Sequence, residues 1–185
     1  MLRSILTIAL FATSAAAAAQ DRAQWSIGIA ATTKVSLLAT DYEISSKNSG
    51  FKAHAAWHPS EAWRVELAYH DFGDVDHSHC VRNRPCTRVL DPRSTEQLGL
   101  SARAAYVWNL GSVQPYAALG LVSVKLKMDS LAVPRPSSSE RETGAVAEAG
   151  LDWNLSESFG LRLGYEYVAA FGGGGAAQLG VVARF

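Results

Sequence analysis

Beyond Gln24 the chain alternates apolar and polar positions with a period of two, and helical periodicity is hard to find. In 63–69 (WRVELAY), Trp63, Val65, Leu67 and Tyr69 share one face, and Arg64, Glu66 and Ala68 the other. In 98–108, Leu98, Leu100, Ala102, Ala104, Tyr106 and Trp108 oppose Gly99, Ser101, Arg103, Ala105 and Val107. In 116–128, Tyr116, Ala118, Gly120, Val122, Val124, Leu126 and Met128 stand against a face ending in Ser123, Lys125 and Lys127. In 159–167, Phe159, Leu161, Leu163, Tyr165 and Tyr167 oppose Gly160, Arg162, Gly164 and Glu166. The C-terminus sets Leu179, Val181, Ala183 and Phe185 against Gly180, Val182 and Arg184. Weaker strands at 24–31, 50–57 and 143–153 bring the total to about eight, most near the ~9–11 residues that a tilted membrane strand needs. Short turns (HPSEA, NLGSVQP, NLSES) alternate with longer links at 32–49, 70–95 and 129–142 and a Gly-rich one at 169–176. That rhythm predicts an all-β, eight-stranded antiparallel up-and-down transmembrane barrel. A Greek-key sandwich gives no reason for strict alternation.

Residues 1–19 (MLRSILTIALFATSAAAAA) have a charged start at Arg3, an apolar stretch and a small-residue end. This is the pattern of a signal peptide cleaved after Ala19, leaving 20–185 as one barrel domain. The formal charge is zero, 17 basic against 17 acidic residues, which gives no electrostatic case for nucleic acid. Export places Cys80 and Cys86 in an oxidising compartment, where a local disulfide is the expected state. A zinc site using them with His77 and His79 lacks the usual ligand spacing.

The two faces of the strands differ in kind. An interior of eight strands is just wide enough to be filled by side chains, and the apolar set is too bulky to point inward. It is therefore expected to meet lipid. Small residues and charges then fill the lumen: Lys52, His54, Arg64, Glu66, Arg103, Lys125, Lys127, Glu148, Asp152, Arg162, Glu166 and Arg184. Such charges must pair or be strongly destabilising, so a plugging charge network is expected, with Arg64, Glu66, Arg103, Glu148, Asp152, Arg162 and Glu166 at its centre. The aromatics give an independent sign. Trp25, Trp57, Trp63, Trp108, Tyr116, Trp153, Phe159 and Phe185 mark strand ends at the short-turn rim, and all 5 Trp are spent there. Amphipathic rings of this sort form belts at the lipid–water boundary.

With these features the chain resembles the small bacterial outer-membrane barrels of the OmpA/OmpX type. The segments that carry the resemblance are VELAYHDFGDV (65–75), VQPYAALGLV (113–122) and LDWNLSESFGLRLGYEYV (151–168). The resemblance implies that Asp152 and Arg162 form a lumenal charge pair. It also implies that the C-terminal LGVVARF, ending in Phe185, is read by the barrel-assembly machinery. A stand-alone barrel without a peptidoglycan-binding domain is the expectation. Its partners would be outer-membrane lipid and lipopolysaccharide, with an extracellular ligand at the long loops and a monomeric state.

Candidate chemistry is sparse. The stretch HDFGDVDHSHC offers His70, Asp71, Asp74, Asp76, His77 and His79 to a divalent cation, but a solvated extracellular loop is the favoured reading. No GxSxG, Walker loop, GxGxxG or HExxH occurs. No cofactor, metal or catalytic residue is expected. The role read from the sequence is non-enzymatic: envelope integrity, adhesion or loop-mediated binding. Two alternatives are carried forward, a membrane-embedded lipid A-modifying hydrolase and a soluble periplasmic barrel holding a small apolar ligand.

Overall fold

The computed structural model describes residues 24–33, 44–45, 49–77, 93–130 and 138–185. The expected cleavage after Ala19, the Cys80–Cys86 bridge and His79 lie outside these residues.

Eight long strands run antiparallel to their neighbours: β1 (Trp25–Thr32), β2 (Gly50–Trp57), β3 (Trp63–His77), β4 (Arg93–Val107), β5 (Val113–Ser130), β6 (Ser138–Asn154), β7 (Phe159–Ala169) and β8 (Gly174–Arg184). A two-residue piece, Ile44–Ser45, adds to the far end of β3. Each strand pairs with the next, and β1 pairs with β8 through a register from Ser26↔Arg184 to Thr32↔Gln178, which closes the barrel. Closure pairs every strand on both sides over the part that all eight share, which a bilayer requires because lipid offers no hydrogen-bond partner. Among the described residues no helix is long and apolar enough to cross a membrane. The crossing elements are strands.

The strands are uneven. β3 and β4 have 15 residues, β5 has 18 and β6 has 17, against 8 to 11 in the others. At roughly 3.3 Å per residue, the longest far exceeds an apolar band ~25 Å tall, so β3–β6 form a raised wall on the long-link side. This corrects the expected links. The stretch read as a loop from residue 70 is strand as far as His77, which pairs with Arg93 after a register shift between Asp71 and Asp74. The Gly-rich link tightens to 170–173, where Phe171, Gly172 and Gly173 adopt positive φ.

Side-chain direction follows the sequence alternation on β3, β4 and β7, with Leu67, Leu100, Leu163 and Tyr165 outside. Strand β5 is turned the other way. Tyr116 (2% exposed), Ala118, Val122, Val124 and Leu126 are buried inside, whereas Leu119 (70%) and Leu121 (64%) are outside and Lys125 is exposed. Lys127 has the parity of Lys125 and leaves the lumen with it. The cause is that both faces of 117–122 are apolar, so the strand carries no contrast there. The lysines suggested a polar lumen, but they belong to the wall that stands clear of the apolar band. A shift of one residue flips every side chain.

The aromatic rim needs one correction. Trp25, Trp57, Trp63, Trp108, Trp153 and Phe159 are exposed at the short-turn rim, and Phe185 is half-buried there. Tyr116 is not among them. Its place is taken by Tyr106, which stacks edge-on between Trp63 (5.3 Å) and Trp108 (5.1 Å).

Candidate functional site in the barrel lumen

The inward faces build two tiers. Towards the long links lies an apolar cluster of Phe72, Val122, Val124, Leu126, Val146, Val168, Ala170 and Ala176, with Phe171 packed against it. Below it lie charges, each brought in by strand alternation: Lys52 from β2, Arg64 and Glu66 from β3, Arg103 from β4, Glu148 and Asp152 from β6, Arg162 and Glu166 from β7.

Arg103 is the hub. Its guanidinium donates to Glu66, Glu148 and Glu166. Glu66 faces it across the β3–β4 pair, but Glu148 and Glu166 face each other across β6–β7. Two like charges opposed in this way repel, and cations from the far wall offset the repulsion. Lys52 Nζ lies 2.6 Å from Glu148 Oε2 and 3.2 Å from Glu166 Oε2. Tyr116 Oη and Gln178 Nε2 also donate to Glu148.

Nearer the short-turn mouth, Arg162 and Asp152 form a forked pair, Nε to Oδ1 at 2.7 Å and Nη2 to Oδ2 at 3.0 Å. Arg162 Nη1 reaches Glu66 Oε2 at 2.9 Å and donates to His54 Nε2 at 3.0 Å. Arg64 Nη1 donates to Asp152 Oδ2 at 2.6 Å. The rings and guanidiniums also stack, Arg64 4.7 Å and Arg162 5.1 Å from the Tyr116 centroid.

Tyr116 fits because glycines face it. A Cβ on Gly150 would come 2.7 Å from its Oη, and one on Gly164 would come 2.8 Å from the same atom. Replacing Gly164 by valine should therefore push Tyr116 off Glu148 and lower stability by about 1–3 kcal/mol, as overpacking does. Urea unfolding of the refolded barrel measures it. An unchanged midpoint would show that the ring has another place to go.

Sequence reasoning missed Tyr116, Gln178, His70 and Ser101 as members of the lumen cluster. His70, expected in a solvated loop, is buried on β3. Its Nδ1 lies 3.2 Å from Glu166 Oε1, its Nε2 2.8 Å from Ser101 Oγ, and its ring stacks on Phe72. Serine, histidine and acid are thus connected in the order of a hydrolytic triad. All three are buried, Glu166 is also held by Lys52 and Arg103, and the apolar tier lies above. The Ser101 hydroxyl is buried and satisfies the histidine. Among the described residues no group of three or more His, Cys, Asp or Glu could hold a metal ion.

The arrangement can close a pore. Known proteins agree on the scaffold. Ail, the attachment invasion locus protein of Yersinia pestis, superposes with a TM-score of 0.56 at 22% identity, over 87% of this chain and 96% of its own. OprG from Pseudomonas aeruginosa gives 0.60 at 15% identity, over 89% and 97%. Neisserial surface protein A gives 0.56 at 18% identity, over 87% and 96%. No curated protein sequence matches. The family model for the outer membrane protein beta-barrel domain matches residues 4–185. A closed eight-stranded barrel with an apolar outer face and a match over nearly its whole length make this chain a member of the outer-membrane protein β-barrel family.

Proposed function

We propose that this barrel acts at its surface and not through its bore, as a non-enzymatic protein of envelope integrity, adhesion or loop-mediated binding. The observation that carries this is the closed lumen. Three acids converge on Arg103, Asp152 is held by two arginines, and an apolar tier covers them. In the same reading the long links and the raised β3–β6 wall face the cell exterior, and the termini and short turns face the periplasm. The exposed tryptophans then sit at the inner lipid boundary, lipid and lipopolysaccharide surround a monomer, and the strand ending at Phe185 engages the assembly machinery. Residues 1–19 are removed, and Cys80 and Cys86 are bridged. The neighbours contribute direction only: Ail has been crystallised with the heparin analogue sucrose octasulfate.

Three measurements test the reading. Protease added to intact cells should cut within 33–49, 78–92 or 131–137 and spare the short turns. The purified barrel should give no unitary conductance in planar bilayers. Non-reduced mass spectrometry should show Gln20 first and a mass consistent with one disulfide. Cleavage confined to the short turns, or steady ion-conducting steps, would overturn it.

The hydrolase alternative rests on one observation, the Ser101–His70–Glu166 connection. Lipid A incubated with the barrel should keep its mass. Deacylation that disappears in Ser101→Ala would establish the hydrolase instead.

A further inference from the structure

The short-turn mouth of the barrel opens on a cavity of about 550 Å³ whose lining includes His58, Arg64, Gln114, Asp152, Asn154 and Arg184. The lumen behind it holds one more cation than it has acids. Among the described residues the inward cations are Lys52, Arg64, Arg103, Arg162 and Arg184, and the inward acids are Glu66, Glu148, Asp152 and Glu166. The ion pairs account for the first four cations. Arg184 is the remainder. Asp152 cannot serve it well, since both its oxygens already accept from Arg64 and Arg162.

Arg184 is placed by the backbone and by a missing side chain. Its amide donates to Ser158 O at 2.9 Å, which pins the end of β8. Its guanidinium lies across Gly160, where an added Cβ would come 3.1 Å from Nη1 and 3.2 Å from Nη2. Arg64, only 2% exposed, spends Nη1 on Asp152 and turns Nε towards Glu66 Oε2 at 3.5 Å, and its Nη2 has no hydrogen-bond partner among the described residues. The side-chain oxygen of Asn154 is likewise without a partner among them, and its amide can turn to present N–H instead. Buried donors left unmade are costly, and Arg64 and Asn154 both line the cavity, with these atoms themselves shielded from solvent.

The geometry points to a binding site for a small tetrahedral oxyanion of the sulfate or phosphate class, held by the guanidinium of Arg184 and Nη2 of Arg64 with Asn154 beside them. Two planar guanidiniums at one cavity match the paired oxygens of such an ion. Glu61 and Glu157 also line the cavity and are exposed, so they make its rim acidic and weaken the field at the mouth. His58 supplies a pH dependence. Its Nε2 lies 3.0 Å from Ser26 Oγ. Burial first, then Arg64, Arg184 and Arg162, push its pKa down to about 4 against the pull of Asp152, so the ring is neutral at pH 7. A bound anion favours the protonated ring. The site should therefore take up protons on binding and hold sulfate, which stays doubly charged throughout, more tightly as pH falls from 7 to 5.

The test is equilibrium titration of the refolded full barrel with sodium sulfate, at constant ionic strength in a nonionic detergent. Saturable one-to-one binding is expected, weakened at least about tenfold in Arg184→Gln and unchanged in Lys125→Gln on the outer wall. Heat-dependent gel mobility shows that each variant is folded. Repeating the titration in phosphatidylcholine and in phosphatidylglycerol vesicles separates the sources. Competition by phosphatidylglycerol identifies the natural occupant as a lipid phosphate, and its absence identifies a free ion. Lack of saturation in the wild-type barrel, or equal affinity in Arg184→Gln, overturns the proposal.

Discussion

Arg103→Met should lower the stability of the barrel by roughly 3–5 kcal/mol, the range seen when one partner of a buried charge cluster is deleted. Methionine fills much of the volume of the arginine stem, so the loss is electrostatic and not a cavity effect. Without the guanidinium, Glu66, Glu148 and Glu166 are left within one dry layer with Lys52 as their shared cation. Adding Glu148→Gln to the same variant should recover part of the loss, because it removes one negative charge from a layer left with an excess of acids while keeping an acceptor for Tyr116 and Gln178. Equilibrium urea unfolding in detergent or vesicles measures both. A single variant within about 1 kcal/mol of the parent would mean that water reaches the layer and screens it.

Leu121→Arg tests the direction of β5 and should cost roughly 2–4 kcal/mol, the penalty for a cation at the lipid midplane. Leu67 on β3 lies between Trp63 and Tyr69 on the outer face, and the register carries that height to Ala102 and on to Leu121. Lys125→Leu, by contrast, should change stability by no more than about 0.5 kcal/mol, as befits an exposed side chain away from special features. The opposite outcome, a mild Leu121→Arg with a costly Lys125→Leu, would return Leu121 to the lumen.

Why β5 misled the sequence reading while β3 and β7 did not is a matter of contrast. On β3, Arg64 and Glu66 alternate with Val65 and Leu67, so parity and polarity agree. β7 does the same with Arg162 and Glu166 between leucines and tyrosines. β5 has apolar residues on both faces because the lumen itself is apolar in its upper tier, and no single strand announces where the ionic tier ends. Tyr116 compounded this. A tyrosine three residues from a tight turn reads as a belt aromatic, and only the glycines facing it on β6 and β7, far away in sequence, show that space was kept for it inside. The charge centre itself was legible, since charged residues at inward parity stood out on four strands. Its hub was not, because which acid meets which base depends on heights around a closed circle. Strand lengths were underestimated for a related reason: the polar residues of 70–77 and 93–97 alternate too weakly to distinguish an emergent wall from a loop.

The opposition of Glu148 and Glu166 bears on how the barrel assembles. As a free hairpin, β6–β7 holds one favourable pair, Asp152 with Arg162, and one repulsive pair, so local pairing alone leaves it only partly stabilised. The groups that offset the repulsion are remote: Arg103 precedes Glu148 by 45 residues and Lys52 by 96. Arg103 arrives as the sheet from β4 to β7 curls, and Lys52 only when β2 on the opposite wall swings round. An open or misregistered sheet keeps two carboxylates face to face without their cations, while the closed one satisfies both together. The ionic layer therefore rewards completion over partial pairing, and it sharpens the transition from sheet to barrel into a single concerted step.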